Sequence, residues 1–142
     1  MNCIPRPVVM GGHKVLVIGG GGREHALCLS LHKSPQVAEI YCSPGNAGTA
    51  ILGTNVELLG GGISKVVDFC QQESIDLVVV GPEAPLCDGL ADSLIQRQIP
   101  CFGPVSELAN LEGSKLHAKE VMKQVGVPTA DFKILDGTSN IE

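Results

Sequence analysis

Short apolar runs alternate with amphipathic stretches along the whole chain. The alternation is that of βαβ units wound into a parallel sheet. It predicts strands over residues 14–18, 39–42, 76–80 and 99–102, with a shorter one near 55–58. Helices are expected over 23–32, 63–73, about 86–98 and 114–125, with a short one near 107–111; residues 43–50 read as a loop. In the helix over 63–73, Ile63, Val66, Val67 and Cys70 share one stripe, while Leu77-Val78-Val79-Val80 is apolar without alternation. A strand of that kind is covered on both faces, so the fold class is α/β, a doubly wound parallel sheet.

Composition narrows the picture. With 142 residues, 44% hydrophobic, 3% aromatic and 18% charged, the chain builds its core from Val, Ile, Leu and Ala and has room for one domain plus a stub. Net charge is −5, and no basic cluster is interleaved with aromatics, which argues against nucleic acid as a partner. The longest apolar runs fall far short of the ~20 residues that span a bilayer. Six cysteines without a C-x-x-C pair read as reduced, mostly buried thiols of a cytoplasmic protein, with no zinc site.

The two ends lack the pattern. Residues 1–13, with Pro5, Pro7, Gly11 and Gly12, read as a disordered extension, and Arg6 alone makes a weak transit peptide. After Gly126-Val127-Pro128 the chain leaves helix, and 131–135 resembles a strand with nothing here to pair it. The expected organisation is therefore an extension over 1–13, a substrate-binding domain over 14–112, and a linker helix with the first strand of an incomplete second domain over 113–142.

Chemistry concentrates in three loops after three strands. Val15-Leu16-Val17-Ile18 runs through four glycines, 19–22, into Arg23-Glu24-His25 at a helix start. Such an elbow lets the main chain approach an anion and points free N–H groups at it, so phosphate is the expected occupant. Arg23 sits unfavourably at the positive end of the helix dipole, a cost of ~0.3–1 kcal/mol that an anionic ligand reverses. A pair with Glu24, or a solvated arginine, is the plainer alternative. His25 reads as a structural hydrogen-bonding residue rather than an acid or base.

The second loop is Ser43-Pro44-Gly45-Asn46-Ala47-Gly48-Thr49-Ala50, where Asn46 and Thr49 can bond hydroxyls or form an ordinary Asx-type turn. The third, Gly81-Pro82-Glu83-Ala84-Pro85-Leu86, holds a carboxylate between two prolines, suited to a ribose diol or an amine if it is more than an exposed loop glutamate. In open α/β sheets such loops line one crevice beyond the strand ends. A nicotinamide or flavin dinucleotide is a poor fit. The sixth position of the G-x-G-x-x-G frame is Glu24, and Ser43-Pro44 stands where a ribose-binding acid belongs.

The ordered set Gly-Gly-Arg-Glu-His-Ala-Leu (21–27), Pro-Gly-Asn-Ala-Gly-Thr-Ala (44–50), Val-Gly-Pro-Glu-Ala-Pro-Leu (80–86), Phe-Gly-Pro (102–104), Leu-Glu-Gly-Ser-Lys (111–115) and Val-Pro-Thr-Ala (127–130) resembles the amino-terminal domain of the phosphoribosylamine–glycine ligase (glycinamide ribonucleotide synthetase) family. The resemblance implies a Rossmann-like domain preceding an ATP-grasp domain, in an ATP-dependent carbon–nitrogen ligase of de novo purine (IMP) synthesis. ATP phosphorylates the glycine carboxylate, and the amine of 5-phosphoribosylamine attacks the glycyl phosphate to give glycinamide ribonucleotide. Gly21, Gly22, Arg23 and Glu24 then map to the phosphate side, and Asn46, Gly48, Thr49 and Glu83 to ribose and amine. Lys115 takes the place of a lysine that reaches nucleotide phosphates, unless it is merely solvated alongside Lys119 and Lys123.

The same resemblance puts ATP and Mg2+ (or Mn2+) in the full enzyme, no bound cofactor in this stretch, and the catalytic and metal-binding residues in a part of the family's chain beyond Glu142. By itself this stretch is expected to bind without turnover. Its partners would be the small-molecule substrates and the rest of the ATP-grasp enzyme, with fusion to other purine enzymes left open. A non-catalytic Rossmann-like binding or interaction module, or a dinucleotide-binding domain, are the alternatives. The Gly60-Gly61-Gly62 run departs from the family in its glycine content.

Overall fold

The computed structural model describes residues 11–133. Five parallel strands, β1 (His13–Gly19), β2 (Val37–Pro44), β3 (Thr54–Asn55), β4 (Leu77–Val80) and β5 (Cys101–Phe102), form one sheet in the order β3-β2-β1-β4-β5. The intervening helices are α1 (Gly22–Lys33), α2 (Thr49–Leu52), α3 (Gly62–Glu73), α4 (Glu83–Cys87) and α5 (Leu90–Gln96), followed by α6 (Ser106–Gly113) and α7 (Lys115–Gln124).

Central strand β1 explains the layering. Leu16 and Ile18 point into one core with Val66, Val67 and Cys70 of α3 and Leu90 and Leu94 of α5. Val15 and Val17 point into the other, with Cys28 of α1, Leu52 of α2 and Ile40 and Cys42 of β2. Val15 through Ile18 are at most 2% exposed, so each contributes about 1.5–3 kcal/mol of apolar burial. Alternate residues of one strand thus bury against opposite helical layers, as the unalternating apolar run requires.

Several boundaries differ from the sequence pattern for identifiable reasons. The helix expected over 86–98 is two helices, because Gly89 adopts φ +92°, closes α4 through its N–H to Leu86 O (3.0 Å), and opens α5 by accepting from Ser93 N (3.0 Å). Strand 99–102 shrinks to β5 because the Ile99 N–H turns back to Leu94 O (3.0 Å) and Pro100 has no N–H. The short strand near 55–58 is β3, ending at Asn55.

At the amino end, residues 1–10 of the expected extension lie outside the described residues, and His13 already belongs to β1. At the other end, 131–133 form no strand, and 134–135 lie outside the described residues. Lys119 holds the chain after Pro128 against α7, its Nζ donating to Thr129 Oγ1 (2.6 Å) and Ala130 O (2.8 Å). No residue of α7 is buried. Cys28, Cys42 and Cys70 are buried free thiols, with Cys87 and Cys101 half-buried. Among the described residues no helix is long and apolar enough to cross a membrane.

Candidate functional site

Chain direction sets the site. From β1 the chain moves outward to β2 and β3, then crosses back to lay β4 on the other side of β1. The strand order reverses between β1 and β4, and a ligand crevice opens beyond the carboxyl ends at such a point. The elbow after β1 and the turn after β4 flank it, and the loop after β2 lies beside the elbow.

Glu24 is the buried centre of the elbow, 4% exposed, in the first turn of α1. Its Oε2 accepts from the Gly21 N–H at 2.7 Å, and its Oε1 from Arg23 Nε at 3.0 Å. Burial alone would raise the Glu24 pKa. The Arg23 hydrogen bond, the Gly21 N–H and the Arg23 charge outweigh it and hold the carboxyl below its ordinary value. Gly19 takes φ +123°, and a Cβ there would come within 2.7 Å of Glu24 Cδ. At Gly81, after β4, a Cβ would overlap Glu24 Oε1.

Arg23 keeps 60% of its side chain exposed beyond that Nε contact. Among the described residues, the N–H groups of Gly22 and Arg23 donate to nothing. Gly22 is exposed, and a Cβ there would meet nothing within 4 Å among the described residues. The fold therefore uses Gly19 and Gly81 to seat Glu24 but makes no such use of Gly22.

The loop after β2 is latched to the elbow. Asn46 Nδ2 donates to Gly20 O (2.9 Å) and Gly21 O (3.3 Å), and its Oδ1 accepts from the N–H groups of Gly48 (2.7 Å) and Thr49 (3.0 Å). Gly45 N donates to Gly19 O at 3.2 Å. Thr49, 1% exposed, accepts from Asn46 N (2.7 Å), and its hydroxyl lies 2.8 Å from Asn55 Oδ1. Asn55 Nδ2 donates in turn to Asn46 O at 2.8 Å. The His25 ring packs against Gly48, where a Cβ would overlap it, and makes no hydrogen bond among the described residues.

These contacts revise the roles expected from sequence. Glu24 and Thr49 are buried with their polar atoms engaged inside the protein, and the Asn46 amide is spent on the two loops, so none of the three presents a free group to a ligand. His25 packs rather than bonds. Glu83 does not sit in a loop. It is the first residue of α4, exposed and without a hydrogen bond or ion pair among the described residues. Gly21, Gly22, Arg23 and Glu83 stay exposed just beyond the ends of β1 and β4, whereas the Gly48 N–H is spent on Asn46 Oδ1. Lys115 opens α7, exposed and joined to the three loops by no hydrogen bond or ion pair.

Asn55 and Gly81 carry parts of this architecture that the sequence pattern did not disclose. Asn55 reads only as a polar strand residue, because its partners are nine residues back and across a loop. A cavity of about 500 Å³ lies away from the site, lined by Met122, Pro128, Thr129 and Phe132. Among the described residues the loops offer an exposed cation and two unpaired N–H groups at the start of α1, with an unpaired carboxylate at the start of α4. The first set suits an oxyanion and the second a hydroxyl or ammonium group.

Comparison with known proteins gives a consistent picture. The family model described as phosphoribosylglycinamide synthetase, N domain, matches residues 13–112. The phosphoribosylamine–glycine ligase of Streptomyces coelicolor is 53% identical over 131 residues, which are 91% of this chain and 31% of that protein. The crystal structure of phosphoribosylamine–glycine ligase from Thermotoga maritima matches with a TM-score of 0.61 at 36% identity, over 84% of this chain and 27% of its own. The biotin carboxylase domain of the Hydrogenobacter thermophilus 2-oxoglutarate carboxylase, in complex with MgADP, ADP and bicarbonate, shares the fold at 21% identity, with a TM-score of 0.61 over 82% of this chain and 28% of its own. The chain thus spans about three-tenths of the length of the curated relatives it matches.

Proposed function

Because the chain belongs to the phosphoribosylamine–glycine ligase family and matches its amino-terminal domain, we propose that its three loops form the phosphoribosylamine side of that enzyme's active site. The reaction joins glycine to 5-phosphoribosylamine at the expense of ATP. The terminal phosphoryl group passes to the glycine carboxylate, the amine attacks the resulting acyl phosphate, and phosphate leaves as the nitrogen loses a proton. In this reading the domain binds and orients the amine-bearing sugar phosphate.

The observation that carries the proposal is the pairing of unspent donors at the strand-order reversal. The Gly22 and Arg23 N–H groups and the exposed Arg23 guanidinium would hold the phosphate, with Gly21 and Gly22 allowing close approach of the main chain. Glu83 would accept from a ribose hydroxyl or from the amine. Asn46, Gly48, Thr49 and Glu24 would act by holding the loops. Lys115, exposed at the start of α7, would reach toward the nucleotide phosphates.

ATP and Mg2+ (or Mn2+) belong, in this proposal, to the full enzyme. Among the described residues no group of three His, Cys, Asp or Glu side chains is placed to hold a metal, so no step is assigned to a metal here. A dinucleotide finds no support, since β2 ends in Ser43-Pro44 with no acid to take a ribose diol. An interaction module is a second reading, favoured by α7, where Leu116 and Met122 are 40% and 36% exposed. A pull-down of a separate ATP-grasp chain would support it.

The test is calorimetry with glycinamide ribonucleotide. Loss of one charge-assisted contact costs about 1.5–3 kcal/mol, so Arg23→Ala is expected to weaken binding by roughly 10- to 150-fold. Equal affinities would remove Arg23 from the site.

A further inference from the structure

Glu24 brings together two segments that are otherwise far apart in the chain, the elbow over 19–21 and the turn at Gly81. Its carboxylate lies against Gly19 at the end of β1, Gly21 at the start of α1 and Gly81 at the end of β4. An added Cβ would stand 2.7 Å from Glu24 Cδ at Gly19 and 3.0 Å from Oε2 at Gly21, and would overlap Oε1 at Gly81. These three glycines form a socket for one side chain, and the socket spans the point where the strand order reverses. The side chain itself is 4% exposed, with one oxygen on the Gly21 N–H and the other on Arg23 Nε.

We propose that Glu24 is a positioning residue: seated in the socket of Gly19, Gly21 and Gly81, it fixes the Arg23 guanidinium through its Nε and leaves the two terminal nitrogens aimed into the crevice. This rests on the reading of Arg23 as the phosphate ligand. Arginine carries several donors in a rigid planar fork, so one edge can be held while another binds. A long side chain immobilised before binding gives up less conformational freedom when the ligand arrives. The same carboxylate ties the elbow after β1 to the turn after β4, so the cation and the main chain around Gly81 keep one relative position.

A merely structural Glu24 would stabilise the elbow but act on binding independently of Arg23. The test is a double-mutant cycle on affinity for glycinamide ribonucleotide, using Arg23→Gln, Glu24→Gln and the pair. Losing one charge-assisted contact predicts a drop of about ten-fold or more for Arg23→Gln. Glu24→Gln is expected to cost several-fold, and the pair no more than Arg23→Gln alone. Losses that multiply in the pair, or wild-type affinity in Glu24→Gln, overturn the proposal. No loss in Arg23→Gln removes Arg23 from the ligand and takes this proposal with it, whereas loss there with a multiplying pair leaves the functional reading standing.

Two further measurements keep the idea exposed if Glu24→Gln fails to fold. Gly81→Ala should displace the carboxylate without changing its charge and lower affinity by a similar factor. In the unaltered chain, nitrogen-edited NMR should show the Arg23 Nε proton as a distinct, slowly exchanging resonance that persists when the nucleotide is saturating. An Nε proton averaged with those of solvated arginines overturns the proposal.

Discussion

The Asn46 side-chain amide donates to the Gly20 carbonyl across 2.9 Å while its oxygen receives the Gly48 N–H at 2.7 Å, so one residue closes its own loop and fastens it to the glycine elbow of the neighbouring strand. Replacing Asn46 by Ala removes both halves of the latch and leaves half-buried partners unpaired, at a cost of about 1–3 kcal/mol. Asn46→Asp keeps the acceptor for Gly48 and Thr49 but sets a negative charge against the Gly20 and Gly21 carbonyl oxygens. Urea denaturation should show both variants destabilised. Nucleotide titration should show affinity lost in the Asp variant even where most of the chain is folded.

Thr49 supports that latch from below. Its hydroxyl accepts from Asn46 N at 2.7 Å and lies 2.8 Å from Asn55 Oδ1, in a site 1% exposed. Valine has nearly the same shape but leaves the Asn46 N–H and the Asn55 Oδ1 without their hydroxyl partner, so Thr49→Val is expected to cost about 1–3 kcal/mol. Thr49→Ser, which restores the hydroxyl, should recover most of it in the same denaturation series. Equal stability of wild type and Thr49→Val would show that the hydroxyl contributes nothing net.

Gly22 separates packing from binding. Among the described residues nothing beyond its own helix and chain neighbours lies within 4 Å of a Cβ at that position, and its φ is not in the left-handed region. Gly22→Ala should therefore leave the fold unchanged or stabilise it by about 0.4–1 kcal/mol, through reduced freedom of the unfolded chain. If the phosphate approaches the main chain here, the same methyl group should weaken nucleotide binding. A variant that melts no lower yet binds more weakly fits the proposed site, and undiminished binding moves the phosphate elsewhere.

How much of this was readable beforehand depends on the range of the interactions. The alternation of apolar and amphipathic segments disclosed the doubly wound sheet, because strand Leu77–Val80 and the stripe Ile63, Val66, Val67 and Cys70 express local periods. The break at Gly89 was hidden, since a lone glycine inside a helical pattern reads as tolerated until its φ of +92° is known. The loops were legible as glycine-rich and polar, but not the direction of their polar groups. Glu24, Asn46 and Thr49 look like ligand residues in one dimension. Sheet topology brings Gly81 against Glu24 and Gly20 to Asn46, and the tight turns of the loops themselves bring Gly21 to Glu24 and Asn55 to Thr49.

Acid should expose the contribution of Glu24 to stability. Burial pushes its carboxyl upward, but the Arg23 hydrogen bond, the Gly21 N–H and the Arg23 charge together hold it below the ordinary value. An acid bound less readily by protons in the folded state than in the unfolded one stabilises the fold above its unfolded pKa, about 4.3 for glutamate. That stabilisation is lost as pH falls through the lower folded value. Wild type should therefore lose stability with falling pH more steeply below about 4.3 than Glu24→Gln, which has no carboxyl to protonate at that position. Chemical denaturation between neutral pH and the acid limb measures both slopes, and the difference isolates Glu24 from the other carboxylates because they are common to the two proteins. Parallel curves would mean that the carboxyl binds protons equally in both states, and the socket would then owe its stability to shape alone.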